Sequence, residues 1–304
     1  NPSIIEDMTR QRIELLGLSF IPQHSDARVL DQLVYKWSHS RRIIADVLGD
    51  KYEDLAAAGR KPTPGEIRRL KAVADPQISL ITNVGRAHLE FLGSLEGVAR
   101  AKGELWEDLK EEDWIAVNVD DERVESLARA ARCRKKTFGI DKPAEIRAKE
   151  IGVDQDRGVH FTLCAAGRKV RVDLSVFGRH NVSNALGAAA LADILGLDPE
   201  EIAAGLAAFR PVFGRGRAVV LPGDIRVLDD SYNSNPDSLS AALAAFAEMK
   251  GQNRGLAVLG DMLEAGPSSP QFHEQAGRRV GKMGLARLFV FGEAARGIAK
   301  GARE

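Results

Sequence analysis

The chain has 304 residues, 44% of them hydrophobic and 28% charged, a balance that supports packed cores and, by length, two or three domains. Its 43 basic and 43 acidic residues cancel, which excludes the global field that draws a protein to nucleic acid or an anionic membrane. No apolar run approaches the ~20 residues of a spanning helix, and the two cysteines, Cys133 and Cys164, make no disulfide framework. The opening residues, Asn1-Pro2-Ser3-Ile4-Ile5, lack an initiator Met and do not form a signal peptide. A cytoplasmic protein whose sequence is a piece of a longer chain, or is artificially bounded, is the expectation.

Arg28 to Leu48 carries apolar residues at helical spacing (Val29, Leu33, Val34, Trp37, Ile44, Val47, Leu48). The breaker cluster 59–65, containing Pro62 and Pro64, marks a junction. Glu66 to Val73 predicts a helix, Ile78 to Asn83 a buried strand running into a polar loop, and Leu95 to Leu109 a helix. Trp114 to Asn118 predicts a strand and Asp121 to Ala131 a helix. Short strands are expected across 137–176, including His160–Leu163 and Val170–Leu174. Asn181 to Leu195 and Pro199 to Phe209 predict helices. A second α/β pattern starts near Arg215, with strands at Ala218–Leu221, Ile225–Asp229, Leu256–Gly260 and Leu288–Gly292. Helices at Ser238–Met249 and Gln271–Met283 lie between them. Strands alternating with helices predict a parallel sheet.

Five polar clusters sit where α/β proteins place ligand loops, at strand ends and helix starts. The run 82–90 offers Asn83, a flexible Gly85 and His88 straight after a strand. Lys102 lies on the following helix, in Lys-Gly-Glu. Gly178-Arg179-His180-Asn181 opens an Ala-rich helix, a place for an Asn cap or an anion, with Asn184 one turn on. The run 228–236 packs Asp229, Asp230, Ser231, Tyr232, Asn233 and Asn235 into a few residues, more hydrogen-bonding groups than a turn needs. Asp261 and Glu264 follow the next strand, where acidic groups suit an ammonium. Taken singly, each has a plain reading: a capped turn, a solvated lysine, a capped helix, an Asn-Pro turn, an acidic loop.

In this order and spacing the runs "PGEI", "ITNVGRAHLEFLGSLEGVARAKGEL", "GRHNVSNALGAAALA", "FGRGR", "LDDSYNSNPDSL" and "LGDMLEAG" resemble the Mur ligase family. Within it they are most similar to the branch that joins D-alanyl-D-alanine to UDP-N-acetylmuramoyl-tripeptide in peptidoglycan synthesis. The likeness spans roughly residues 62 to 304. The tyrosine-bearing "DDSYNSNP" separates the chain from folylpolyglutamate synthase, which shares the fold. The resemblance implies an ATP-dependent ligase of α/β class. Its parts are a central domain over 62–213, a Rossmann-like C-terminal domain over 214–304 and a helical leading segment over 1–61, and it implies a monomer.

The resemblance also assigns residues. Glu66, His88 and Lys102 match positions around magnesium, Lys102 as the lysine that is carbamylated; with His88 it is the expected catalytic group. Asn83, Asn181, Asn184, Arg215, Asp230, Tyr232 and Asn233 match nucleotide-side positions, and Asp261 and Glu264 the region of the incoming dipeptide. UDP-N-acetylmuramoyl-tripeptide and D-alanyl-D-alanine are the implied substrates.

The family's phosphate loop, Gly-x-x-x-x-Gly-Lys-Ser/Thr, binds ATP through backbone amides and a lysine. No such run occurs here; Gly281-Lys282 lies outside any such setting. Residues 1–60 instead resemble the end of a uronate isomerase, with Asp26 and Arg28 at its Asp-x-Arg positions. The expectation is therefore a fusion, inactive alone, with a marginal central domain that lacks a core strand and a better-formed C-terminal domain.

Overall fold

The computed structural model describes Lys71 and residues 75–304. The helix expected over 28–48, all but Lys71 of the one expected over 66–73, and the positions Asp26, Arg28 and Glu66 lie outside the described residues. By its contacts the chain divides into two compact units, Asn1–Asp75 and Pro76–Glu304; the account below concerns the second.

Elements are numbered from the first one described. The strand β1 (Ile78–Ile81) leads through a loop to a short helix α1 (Leu89–Leu92), then α2 (Leu95–Gly103) and a 3-10 turn. β2 (Trp114–Asn118), α3 (Glu122–Ala130) and β3 (Arg134–Gly139) follow, then β4 (Ile146–Asp154), β5 (Gly158–Ala165) and β6 (Arg168–Asp173). These six strands form one sheet in sequential order, parallel from β1 to β4 and antiparallel from β4 to β6. Strands β1 and β2 are the short, nearly continuous apolar runs of a sheet covered on both faces. On one face Ile81, Ile115, Val117, Val98, Val124 and Trp106 form a core with α1–α3. On the other, Phe138, Phe161, Ile146 and Leu163 pack against α4 (Arg179–Ile194) and α5 (Pro199–Ala208). Helix α4 can lie this close because its inner face is small: a Cβ on Gly187 would stand 3.2 Å from Leu80 and 3.4 Å from Phe138.

The C-terminal half is built differently. β7 (Arg217–Leu221) and β8 (Ile225–Asp229) form an antiparallel hairpin, and β9 (Leu256–Leu259) and β10 (Arg287–Val290) a separate parallel pair. This corrects the single parallel sheet expected of these strands. The reason is local: Pro222-Gly223-Asp224 joins β7 to β8 with Gly223 and Asp224 at positive φ, so the chain reverses at once and no crossover is available. Helices α6 (Pro236–Lys250), α7 (Ser269–Gly281) and α8 (Arg296–Gly301) complete this half. Its core among the described residues centres on Leu239, Leu243, Met262 and Val280. Among the described residues the larger core belongs to the sheet of β1–β6. Phe177, Ala245 and Met249 form an apolar contact between the two halves. Among the described residues no helix is long and apolar enough to cross a membrane.

Candidate functional site

Two groups of predicted residues come together, both at strand ends or helix starts. The first surrounds the loop after β1. Asn118, buried at the end of β2, donates its Nδ2 to the Thr82 carbonyl at 2.8 Å and accepts the Asp120 amide at 3.0 Å. Asp121 caps α3 with one oxygen and accepts the Val84 amide with the other at 2.7 Å. These stitches place the Asn83 carbonyl where Lys102 Nζ, reaching from the last turn of α2, donates to it at 2.7 Å. Burial pushes the Lys102 pKa down, against the pull of Asp121, because an ammonium loses its hydration there. A neutral amine is the form that reacts with carbon dioxide.

His88 caps α1 from a left-handed conformation, φ 54°, and its Nδ1 lies 2.5 Å from Glu264 Oε2. A non-glycine residue there costs about 1–3 kcal/mol and persists only where its surroundings hold it. Glu264, expected near an incoming substrate, is thus turned onto His88. Asp261, predicted beside it, accepts the Ala295 amide at 2.7 Å and secures the turn before α8. The buried His273 is a strut: its Nε2 accepts the Met262 amide at 3.0 Å, and its Nδ1 donates to the Ser269 carbonyl at 2.7 Å.

The second group forms where the start of α4 meets the C-terminal half. Asn181 Nδ2 donates to the Phe177 carbonyl at 2.8 Å, and Asn184 Nδ2 to Asn181 Oδ1 at 3.3 Å. Gly216, at φ 66°, passes Asn181 with room for a Cβ only 3.9 Å from its Nδ2. Burial raises the Asp230 pKa, opposed by the Gly216 amide, His180 and Arg215; burial lowers that of His180, opposed by Asp230. The guanidinium of Arg215 lies 3.8 Å from the centre of the Tyr232 ring, a cation–π stack. Gly214, at φ 74°, accepts the Tyr232 amide at 3.1 Å and has Tyr232 against its missing Cβ at 3.0 Å. Asn233 accepts its neighbour's amide, from Ser234. The result is a surface with an amide pair, a stacked arginine–tyrosine and a desolvated carboxylate–imidazole pair.

Sequence reasoning assigned no role to Arg86, Asn118, Asp121, His180 or Asp237. Arg86, His180 and Asp237 stand inside the quoted motifs, so the signal was present without a role attached. Arg86 and Asp237 are 151 residues apart.

The Mur ligase middle domain matches residues 62–192, and the Mur ligase glutamate ligase domain matches residues 214–304. The chain is similar to the UDP-N-acetylmuramoyl-tripeptide--D-alanyl-D-alanine ligase of Bacillus subtilis, at 33% identity over 78% of this chain and 51% of that one. Among solved structures it is similar to MurF from Acinetobacter baumannii, with a TM-score of 0.71 and 30% identity over 79% of this chain and 52% of that one. It is also similar to MurF from Thermotoga maritima in complex with ADP, with a TM-score of 0.69 and 26% identity over 78% and 54%. The chain belongs to the Mur ligase family, carrying its middle and C-terminal domains. It spans about half the length of the relatives it matches. Both family matches begin at residue 62 or later; the likeness of residues 1–60 to a uronate isomerase finds no support in them.

Proposed function

We propose that this chain contributes the nucleotide-side and metal-side groups of an ATP-dependent amide ligase that joins D-alanyl-D-alanine to UDP-N-acetylmuramoyl-tripeptide. The observation that carries the reading is the meeting of His180, Asn181, Arg215, Asp230 and Tyr232 where the two matched domains join. We propose domain bounds of 62–213 and 214–304 on the same ground, with a monomer in the cytoplasm as the working state.

An amide forms from a carboxylate and an amine only once the acyl group is activated, and ATP supplies the activation as an acyl phosphate. The amine attacks the acyl carbon, a tetrahedral intermediate forms, and phosphate leaves as the C–N bond is completed. In this reading Asn181 and Asn184 hold the base side of the nucleotide and the Arg215–Tyr232 stack faces its phosphates. Asp230 and Asn233 complete the wall contributed by the C-terminal half. Water exclusion at this junction protects the acyl phosphate from hydrolysis.

Magnesium, when bound, neutralises charge developing on the transferred phosphoryl group. The residues fit it. His88 has one ring nitrogen engaged by Glu264, and the other has no partner among the described residues; a carbamate on Lys102 would add carboxylate-like oxygens. Among the described residues no three His, Cys, Asp or Glu side chains gather as a metal site. Magnesium needs no such cage, since it takes one or two protein ligands with phosphate and water completing the shell. Asp261 and Glu264 are better read as structural and positioning groups than as dipeptide contacts.

A second reading rests on one observation: no Gly-x-x-x-x-Gly-Lys-Ser/Thr run occurs in the 304 residues, so these residues alone would bind nucleotide without turning it over. A coupled assay with UDP-N-acetylmuramoyl-tripeptide, D-alanyl-D-alanine and ATP separates the two. Phosphate release that needs all three substrates and disappears in Lys102→Ala supports the ligase. No release above background in a chain that still binds ATP supports the second reading.

A further inference from the structure

Residues 83–92 carry two members of the candidate site, Asn83 and His88, yet their conformation is held from the other half of the molecule. Two carboxylates of the C-terminal half reach them. Asp237, in the first turn of α6, accepts the Arg86 backbone amide at 2.6 Å, Arg86 Nε at 2.9 Å and an Arg86 terminal nitrogen at 2.5 Å. The Glu264 carboxylate takes His88 Nδ1 at 2.5 Å, and the Glu264 backbone carbonyl accepts the Glu90 amide at 3.0 Å.

The surroundings are shaped for both contacts. A Cβ on Gly85 would lie 3.1 Å from Asp237 Oδ2, so the carboxylate sits against bare backbone. Asn235 caps α6 by accepting the Asp237 and Ser238 amides, which fixes the turn that presents Asp237. The Arg86 guanidinium carbon lies 5.5 Å from the centre of the Phe272 ring of α7, within cation–π range. Burial works to raise the Asp237 pKa, but Arg86 holds it below the ordinary range. His88 and Glu264 both stand at left-handed φ, 54° and 55°. Two non-glycine residues held in that region and bonded to each other mark a contact that the fold over-determines.

We propose that Asp237 and Glu264 are positioning residues, forming a two-point clamp through which the C-terminal half sets the conformation of residues 83–92. The clamp fixes the stretch from Arg86 to Glu90, beyond the Asn118 and Asp121 hydrogen bonds that place Asn83. It also selects the tautomer of the neutral His88 ring, placing the proton on Nδ1, because a carboxylate accepts and cannot donate. The use of Nε2 in a reaction rests on the ligase reading; the clamp itself does not.

The test is hydrogen exchange on the full chain, with nitrogen NMR of the His88 ring. Asp237→Ala is expected to speed exchange across amides 84–92 by about tenfold or more while β2–β6 stay protected. Arg86→Ala is expected to speed it less, because Asp237 keeps the backbone amide of residue 86. Asp237→Asn serves if the alanine variant does not fold. Glu264→Ala is expected to turn the single-tautomer pattern of His88 into an averaged one, and Glu264→Gln, whose amide oxygen still accepts, to restore it. Unchanged exchange in 84–92, a uniform rise across both halves, or a His88 pattern indifferent to Glu264 would each overturn the clamp. Magnesium-dependent ATP binding by the unmodified chain is read separately: its absence would sink the ligase reading and leave these readouts intact.

Discussion

Burial lowers the pKa of both Lys102 and His180, with Asp121 and Asp230 pulling the other way. A base whose folded pKa lies below its unfolded one binds fewer protons when folded, so stability rises with pH through the window between the two. For His180 the window lies below 6.5: stability is complete above it and falls on acidification through it. His180→Gln should flatten that part of the profile, measured as urea midpoints across mildly acid pH. For Lys102 the window lies below 10.5, and Lys102→Met should flatten the rise of stability on the alkaline side. Lowering the Lys102 pKa favours the neutral amine that adds carbon dioxide. Labelled bicarbonate is expected to give a carbamate carbon resonance that Lys102→Arg lacks, and its absence in the parent chain would remove the basis for a carboxylate at this position. None of these environments was legible in "AKGEL" or "GRHN", since both depend on loops brought up from elsewhere.

The elements were more readable than their partners. Trp114 to Asn118 forms the strand its apolar run predicts, and the helices at 122–130 and 179–194 lie within a residue or two of their expected bounds. The helix expected to reach Leu109 ends at Gly103 and tightens to a 3-10 turn through Trp106. The β7–β8 hairpin was misassigned to a parallel sheet although Pro222-Gly223-Asp224 carried the turn signal. Helix α8 shows what a sequence conceals. A Cβ on Gly277 would come within 2.1 Å of the Ile298 carbonyl oxygen, and one on Gly301 within 2.2 Å of that of Glu274. Backbones this close leave no relaxation short of moving the helix. Gly277→Ala should cost about 1–3 kcal/mol by overpacking, read by denaturant melts, with exchange rising first in 296–301. Phe138→Ala, which empties the larger core at a fully buried ring, should cost about 3–5 kcal/mol.

Across the whole molecule the two halves differ in how well they cover themselves. Leu256 and Val258 on β9, with Phe289 on β10 and Phe291 just beyond it, are all more than half exposed. They alternate with the inward Leu259 and Leu288 that pack on the C-terminal core. Such a face favours association. Sedimentation should show a monomer at low concentration and self-association at high, with Val258→Lys plus Phe289→Lys suppressing the rise. The motif order gave the family, because each motif is local. The joining of Arg86 to Asp237 and of His88 to Glu264 needed the folded chain.

The measurement that bears most directly on the account is calorimetry of ATP binding to the purified chain, with and without magnesium, for the parent, Asn181→Ala and Arg215→Ala. The junction described here predicts saturable binding, strengthened by magnesium and weakened by about tenfold or more in each variant, a loss of roughly 1.4 kcal/mol. Absence of binding, or binding indifferent to both substitutions, would contradict a nucleotide site at this junction.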